Sequence, residues 1–311
     1  MVTVQRQVNV KSWVVWGRRP RRAGQFGRNP PQSLRFDDRL TPVSDCSLMD
    51  PQDTTSPEVR SHRYVRSMDL RVLGPLEAVE DGQLLPLGGM KQRTVLALLI
   101  AHGGKPLSTD ALIDGVYGED APSGARRSVQ TYVSNLRRQL GDLIKPTGSG
   151  YLLGVPNQAV DAVRFEDSVA AAADLEEPGA AAERLRAALA MWRGHPYDDV
   201  DGFGAIPSEI SRLNELRLVA VERRVEADLD GGKHVEVIGE LESLTAEYPF
   251  RERLHGQHML ALYRSGRQAE SLRVFEKALL YLVEEMGLDP SPELRTLERQ
   301  ILEQDPALGF E

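Results

Sequence analysis

An ordered pattern of apolar and polar residues begins at Met68 and predicts a small sheet. Apolar runs at 70–73 and 76–79 predict two short strands, because each has strand length and is bounded by turn residues. Asp81-Gly82 is a favoured two-residue hairpin turn, so we expect the chain to turn back there toward apolar positions around 84–87.

Helical spacing then replaces the strand pattern. Met90–His102 carries apolar residues on one face and stops at Gly103-Gly104, which is typical of a helix end. Ser108 is a favourable N-cap for a second helix over Thr109–Tyr117. A third predicted helix covers about Gly124–Leu140.

The third helix divides into an apolar stripe and a basic face. At 100° per residue, one narrow sector holds Val129, Val133, Leu136 and Leu140. The opposite side holds Arg127, Gln130, Thr131, Ser134, Asn135 and Arg138. Arg126 and Arg137 add two cations, and the helix contains no Asp or Glu. In the major groove Arg pairs with guanine or phosphate and Asn or Gln with adenine, although an Arg-rich face by itself is more often plain solvated surface.

The order of elements favours the DNA interpretation of this face. After the third helix, the mainly apolar segments 143–145 and 151–153 flank a Gly-Ser-Gly tip, which predicts a hairpin. A small sheet, three helices and a hairpin, in this order, make a winged helix-turn-helix. A basic helix face is stronger evidence for DNA binding when it occurs within such a fold.

The C-terminal half is predicted to be entirely helical. Patterns over 165–175, 180–192 and 209–229 have helical spacing, with Pro and Gly between them. Beyond them, residues 232–242 resemble residues 266–276, a spacing of 34 that is typical of tetratricopeptide repeats. The expected fold is therefore mainly α with a small β component, a winged helix-turn-helix followed by an all-α tetratricopeptide-like helical repeat domain.

Charge divides the chain into three segments. Residues 1–67 hold 12 Lys/Arg and 6 Asp/Glu, residues 68–155 hold 9 of each, and residues 156–311 hold 17 and 31. The first segment is rich in Arg, Gly, Pro and Ser without apolar periodicity, so we expect a disordered basic tail. Its Arg18–Arg22 run is either a non-specific phosphate-binding arm or without a role, and Met68 is a plausible start of translation.

Composition excludes several classes of protein. A single cysteine, Cys46, leaves no internal disulfide and no cysteine-cluster zinc site. No apolar run reaches the roughly 18 residues that a membrane span requires, and no signal sequence is evident. We find no catalytic constellation and no GxxxxGK[ST] loop, so we expect neither an enzyme nor a cofactor.

Three groups of residues have part of the pattern of a functional site. His255 and His258 lie one helical turn apart, but without companion carboxylates we expect an ordinary helix surface and no metal. The acidic stretch 198–201 hints at a calcium loop, yet a solvated loop fits better because no Glu closes the frame. Trp192 and Tyr197 near Arg193 line either a pocket or, more simply, the core at a helix end.

Several sequence blocks carry a family resemblance. GGMKQRTVLALLIAHGGKPLSTDALIDGVYG, VQTYVSNLRRQLG and GSGYLL resemble the OmpR-type winged helix as found in the SARP family (Streptomyces antibiotic regulatory protein). The resemblance implies a recognition helix, a wing entering the minor groove and a loop that faces RNA polymerase. The implied DNA contacts are Arg126, Arg127, Gln130, Thr131, Ser134, Asn135, Arg137 and Arg138 on the helix and Lys145, Thr147, Ser149 and Tyr151 on the wing. The implied polymerase-facing loop contains Gly118, Glu119 and Asp120.

The C-terminal half resembles the bacterial transcriptional activation domain of the same family, and blocks such as ALAMWRGHPYDDV carry this resemblance. We therefore expect a basic tail over 1–67, a winged helix over 68–156 and the activation domain over 160–305. The resemblance implies a cytoplasmic, nucleoid-associated activator that binds promoter direct repeats as a homodimer, recruits RNA polymerase and switches on antibiotic biosynthesis genes, with no membrane partner. An interaction scaffold without specific DNA readout is the alternative.

Overall fold

The computed structural model describes residues 68–309, which fold into a mainly helical protein with a small β component. A winged helix-turn-helix comes first and a helical repeat region follows, as the sequence predicts. No helix within this range is long and apolar enough to cross a bilayer. The expectations for residues 1–67, including the basic run, lie outside the described residues.

The described part of the chain begins with an antiparallel sheet of three strands. These are β1 (Met68–Arg71), β2 (Glu77–Glu80) and β3 (Gln83–Leu84), in that order. Between β2 and β3, Asp81 and Gly82 have φ values of 49° and 82°. Two-residue hairpins with both central residues in the left-handed region match the twist of the strands, so the predicted turn is confirmed.

Three helices follow this sheet. They are α1 (Met90–Ala101), α2 (Thr109–Tyr117) and α3 (Ala125–Leu140). The hydroxyl of Ser108 accepts a hydrogen bond of 3.1 Å from the Ala111 N–H, so the predicted N-cap of α2 is confirmed. The predicted apolar stripe of α3 is buried against α1 and α2.

A second three-stranded sheet forms the wing. Its strands are β4 (Leu107–Ser108), β5 (Ile144–Pro146) and β6 (Gly150–Leu153), arranged β4-β6-β5. The backbones approach so closely that a Cβ on Gly150 would lie 1.9 Å from the Leu107 carbonyl oxygen. Only glycine fits there, and this contact fixes the base of the wing to the start of α2.

Seven α-helices make up most of the C-terminal half, as far as the structure describes it. They are α4 (Asp161–Ala172), α5 (Pro178–Leu189), α6 (Ala205–Asp230), α7 (His234–Glu247), α8 (Glu252–Arg264), α9 (Gln268–Met286) and α10 (Pro292–Leu302). Helices α7 and α9 start 34 residues apart, and each follows a glycine with positive φ, Gly232 at 83° and Gly266 at 76°. The predicted repeat is therefore present in the structure.

The hydrophobic interior forms two clusters that do not follow the boundary expected near residues 156–160. The first cluster joins both sheets and α1–α3 to α4, α5 and the first half of α6, with Leu70, Phe165 and Tyr197 in one continuous core. The second lies among the second half of α6 and α7–α10. Because the first core is continuous, the helical half holds the winged helix in a defined orientation.

Backbone hydrogen bonds reinforce this junction. The buried carboxylate of Asp161, at the start of α4, accepts hydrogen bonds from the N–H groups of Val72 and Leu73 at 2.8 and 3.2 Å. The Arg193 and Tyr197 N–H groups donate in turn to the Leu73 and Val72 carbonyls at 2.7 and 3.0 Å. Burial raises the pKa of Asp161, and the hydrogen bonds that its carboxylate accepts from Val72 and Leu73, together with nearby Arg193, oppose that rise.

The acidic stretch 198–201 is an exposed loop at Asp198 and Asp201, as expected, but Asp199 is half-buried and belongs to the same junction. The Asp199 carboxylate accepts from the Leu76 N–H at 2.7 Å and pairs with Arg93 of α1. The Asp201 carbonyl accepts from the Thr94 hydroxyl at 2.8 Å. No group of three metal-binding side chains occurs within residues 68–309.

The two histidines of α8 are buried, so the expectation of an ordinary helix surface is wrong. His255 is 2% exposed and His258 6% exposed, because α7, α9 and α10 all pack around α8. His255 Nε2 lies 2.9 Å from the Pro249 carbonyl. Burial lowers the pKa of both, that of His258 to about 4.

Trp192 and Tyr197 pack in the core as expected. The Trp192 ring meets Phe165 edge to face at a centroid distance of 5.4 Å, and the Arg217 guanidinium covers it at 4.9 Å. Tyr197 is buried and also borders a cavity, but neither Trp192 nor Arg193 lines that cavity, so a pocket shared by these residues is not confirmed.

Candidate nucleic-acid interface

Helix α3 presents a polar face to solvent opposite its buried stripe. The exposed side chains are Arg126, Arg127, Gln130, Thr131, Ser134, Arg137 and Arg138. The buried residues lie on the other side and are packed in the first core. Since α3 has no acidic side chain, this face combines guanidinium, amide and hydroxyl groups without internal neutralisation. These groups match phosphate oxygens and base edges.

Asn135 differs from the other predicted contact residues because its side-chain amide is engaged within the protein. It is half-buried, and its Nδ2 donates to Gln92 Oε1 of α1 at 3.1 Å. Gln92 Nε2 donates to the Leu87 carbonyl at 2.9 Å, and the Arg138 guanidinium donates to Asn135 Oδ1. This chain of hydrogen bonds orients Arg138, so Asn135 acts within the structure as a positioning residue.

Arg126 has an acidic neighbour that the sequence of α3 alone does not show. Its guanidinium pairs with Asp110 in the first turn of α2, and both side chains are exposed. Such exposed pairs contribute about 0–1 kcal/mol and are weakened by salt. A phosphate could therefore displace Asp110 at low energetic cost.

The wing places its predicted residues beside α3. Lys145 and Ser149 are exposed, whereas Thr147 and Tyr151 are half-buried. The Thr147 N–H donates to the Gly150 carbonyl at 2.8 Å and closes the turn, and the Ser149 carbonyl accepts from the Thr109 N–H at 3.0 Å. The tip is thus tied to the start of α2, which fixes its position relative to α3.

An open groove of about 340 Å³ lies between α3 and the wing. Its lining includes Gln130, Ser134, Arg137, Arg138, Asp142 and Tyr151. The structure therefore brings four predicted residues of α3 and Tyr151 of the wing to one surface, whereas Lys145, Thr147 and Ser149 do not line this groove. Asp142 at the rim is an acidic group that this prediction did not include.

The loop between α2 and α3 leads into the N-terminal end of α3. Glu119 and Asp120 are exposed, and Gly118 has a φ of 59° and donates its N–H to the Asp114 carbonyl at 2.8 Å. Phe203, from the loop before α6, packs against Gly118 so closely that a Cβ there would lie 3.3 Å from its ring. The Phe203 N–H donates to the Gly115 carbonyl at 2.9 Å.

Sequence reasoning missed Gln92 and Phe203. Gln92 lies on a different helix from Asn135, 43 residues away, and Phe203 lies in a loop with no periodicity. Neither position carries a local pattern that indicates a role in the interface. Only the tertiary fold brings each to its partner.

Two family models match consecutive parts of the chain. The model described as "Transcriptional regulatory protein, C terminal" matches residues 86–153, which contain α1–α3 and the wing. The model described as "Bacterial transcriptional activator domain" matches residues 160–302. Neither describes a catalytic family.

Curated relatives show the same two-part similarity. The regulatory protein AfsR of Streptomyces coelicolor is 42% identical over 243 residues, which are 76% of this chain and 24% of AfsR. The transcriptional regulatory protein EmbR of Mycobacterium tuberculosis is 37% identical over 251 residues, 78% of this chain and 65% of EmbR. The chain therefore spans about a quarter of AfsR and just under two-thirds of EmbR. The regulatory protein DnrI of Streptomyces peucetius is 36% identical over 256 residues, 78% of this chain and 94% of DnrI.

A solved structure has the same architecture. It is that of Mycobacterium tuberculosis EmbR in complex with a low-affinity phosphopeptide, with a TM-score of 0.73 and 38% sequence identity over 78% of this chain and 66% of that one. This sequence identity and this coverage are close to those of the curated EmbR relative. From the two family models in this order and the match across nearly all of DnrI, the chain belongs to the SARP family of transcriptional regulators.

Proposed function

We propose that this protein is a transcriptional activator that reads promoter DNA with α3 and the wing. The observation that carries the proposal is the exposed, acid-free face of α3, which shares one groove with the wing. An α-helix fits the major groove, where Arg and Gln side chains distinguish bases and Ser and Thr hydroxyls contact phosphates. The wing, with Lys145 and Ser149 exposed, reaches the neighbouring minor groove.

Charge distribution supports one orientation on DNA. Residues 156–311 hold 17 Lys/Arg and 31 Asp/Glu, so phosphates repel the helical half. The winged helix has balanced charge overall and a basic ridge on α3, so it turns toward the duplex. Because the first core is continuous, this orientation also fixes where the helical half lies on the promoter.

Two protomers on direct repeats complete the proposal, following the resemblance to SARP regulators. The exposed loop residues Glu119 and Asp120 lie next to α3, where they would meet RNA polymerase bound to the adjacent promoter. A DNA-bound activator raises the effective concentration of such a weak contact, so recruitment needs little intrinsic affinity. The genes controlled would belong to antibiotic biosynthesis, and the protein would act on the cytoplasmic nucleoid without cofactor or membrane.

A protein-interaction scaffold is the second candidate. The C-terminal part of α9 and the turn after it expose large apolar side chains, including Leu280, Val283, Met286 and Leu288. Contiguous apolar patches of this kind mark interaction sites. The scaffold differs from the activator in having no specific DNA readout.

Hydroxyl-radical footprinting of the full chain on promoters beside its own gene separates the two candidates. The activator predicts two protected tracts in the same orientation, and purified RNA polymerase should transcribe from that promoter more strongly when the protein is present. The scaffold predicts no protection beyond that of unrelated DNA of equal length. Equal affinity for promoter and unrelated DNA at physiological salt would contradict the activator.

A further inference from the structure

A cavity of about 300 Å³ lies where the winged helix meets the helical half. Its apolar walls come from both sides of the junction, with Ile100 at the end of α1, Leu153 at the end of β6 and Val160 and Val163 at the start of α4. Small-molecule sites have volumes from roughly 300 to 1,000 Å³ and are mainly apolar with a few polar groups. The cavity has this composition.

Tyr197 supplies the first polar group. The residue borders the cavity and is only 2% exposed, and its hydroxyl makes no hydrogen bond to the part of the protein that the structure describes. The hydroxyl oxygen is not one of the buried polar atoms that lack a partner, so it is accessible from the cavity and available to a bound molecule. The backbone is also unusual, with a φ of 56°, and is held by the bond from the Tyr197 N–H to the Val72 carbonyl.

Two carboxylates and one guanidinium supply the other polar groups. Arg212 of α6 donates to Glu209 through Nε and Nη2, each at 2.8 Å, and to Glu166 of α4 through Nη2 at 2.5 Å. All three residues border the cavity, and one cation between two anions leaves an excess negative charge. Burial and the nearby Glu209 raise the pKa of Tyr197, so its hydroxyl stays neutral and can accept or donate a hydrogen bond.

We propose that this cavity binds a small amphipathic amine. The apolar body packs against Ile100, Leu153 and Val163, and the ammonium group donates to the Tyr197 hydroxyl and the Glu209 carboxylate. An ammonium group has three donors and one positive charge, which match a neutral acceptor and the excess negative charge. A carboxylic acid of the same shape would meet that negative charge and be rejected.

Binding at this place has a consequence for DNA recognition, and this consequence alone rests on the proposed function. The ligand would touch α1 and β6 of the winged helix together with α4 and α6 of the helical half. A molecule that contacts both halves binds one relative orientation better than another and shifts the population toward it. The amine would therefore change affinity for promoter DNA.

Isothermal titration calorimetry of the full chain without DNA tests the site itself. The probes are phenethylamine, tryptamine and 4-phenylbutylamine, with indole-3-propionate and 3-ethylindole as the acidic and neutral counterparts of tryptamine. We expect at least one amine to bind with a Kd of about 1 mM or tighter, and 3-ethylindole to bind about tenfold more weakly than tryptamine. Indole-3-propionate should not bind. Absence of binding by all three amines overturns the proposal.

Two substitutions locate the binding. Tyr197→Phe removes a hydroxyl that has no partner in the described structure, so the variant should fold like the wild type and lose about five- to tenfold in amine affinity. Glu209→Gln should lose at least as much. Tyr281→Phe, at an exposed tyrosine of α9, is the matched control and should bind like the wild type. Unchanged affinity in both cavity variants overturns the proposal, and DNA affinity measured in parallel separates this result from a failure of the activator assignment.

Discussion

The side chain of Asn135 donates a hydrogen bond of 3.1 Å to Gln92 and thereby ties α3 to α1. Its oxygen accepts from Arg138 on the exposed face, so both ends of the amide are engaged before any DNA arrives. The arrangement fixes the orientation of the Arg138 guanidinium. In return, the Asn135 amide is not available for a hydrogen bond to a base. Preorganised side chains lose less entropy on binding.

Gln92→Ala tests this chain of hydrogen bonds. The substitution leaves every residue of α3 intact but removes the partner of Asn135, so Arg138 loses its fixed orientation. We expect promoter affinity to fall about three- to tenfold, corresponding to about 1 kcal/mol, when measured by fluorescence anisotropy. Gln83→Ala, at an exposed position of β3, is the control and should bind normally. Wild-type affinity in Gln92→Ala would show that the chain of bonds has no part in recognition.

Gly150→Ala tests the attachment of the wing. The new Cβ would lie 1.9 Å from the Leu107 oxygen, so β4 and β6 must separate. We expect the free energy of unfolding to fall by about 2 kcal/mol or more in urea titrations, with promoter affinity reduced as the wing shifts. Gly148→Ala is the matched control, since a Cβ there meets nothing within 4 Å. Equal stability of the two variants would contradict the described packing.

Local patterns in the sequence account for most of the secondary structure. Helix α2 begins and ends as predicted because Ser108 caps it and Gly118 ends it, and both act within a few residues. The strand β4 was missed because two residues carry no periodicity and pair with β6 some 40 positions away. Spacing alone also gave the wrong environment for His255 and His258, because it shows that two side chains share a face but not which elements cover that face.

The interface was predictable to the extent that it lies on one helix. The exposure of Arg127, Gln130 and Ser134 follows from the angle between them and the buried stripe of α3. Two other contacts do not follow from the sequence of α3, because each depends on packing between distant segments. They are the hydrogen bond from Asn135 to Gln92 and the contact of Phe203 with Gly118. For the same reason, the sequence did not indicate that one core crosses from the winged helix into α4–α6.

Phe203→Ala tests whether the helical half supports the loop that contains Gly118, Glu119 and Asp120. Phe203 is 50% exposed and packs on Gly118, so its removal should loosen the loop without touching α3. We expect promoter affinity to stay within twofold of the wild type while transcription by purified RNA polymerase falls at least threefold. Phe250→Ala, at a phenylalanine of similar exposure (47%) before α8, is the control. Unchanged transcription would show that Phe203 does not support this loop.

His258 predicts a specific dependence of stability on pH. Burial lowers the pKa of His258 from 6.5 to about 4, so the proton binds more readily to the unfolded chain. The stabilisation is therefore complete above pH 6.5 and is lost as the pH falls toward 4, by about 2 kcal/mol after allowance for solvent screening. Chemical denaturation across this range should show a steeper loss for the wild type than for His258→Gln. Parallel curves for the two proteins would contradict the burial of this side chain.

The most direct test of DNA reading by α3 is the salt dependence of promoter binding in single-arginine variants. For Arg127→Ala and Arg138→Ala we predict weaker binding at every salt concentration. A slope of log K against log salt shallower by about one unit is expected wherever the lost contact was to phosphate. Arg273→Ala removes the same charge from an exposed position of α9 and should behave like the wild type. If both α3 variants bind the promoter as tightly as the wild type at every salt concentration, α3 does not lie in the groove and the account is contradicted.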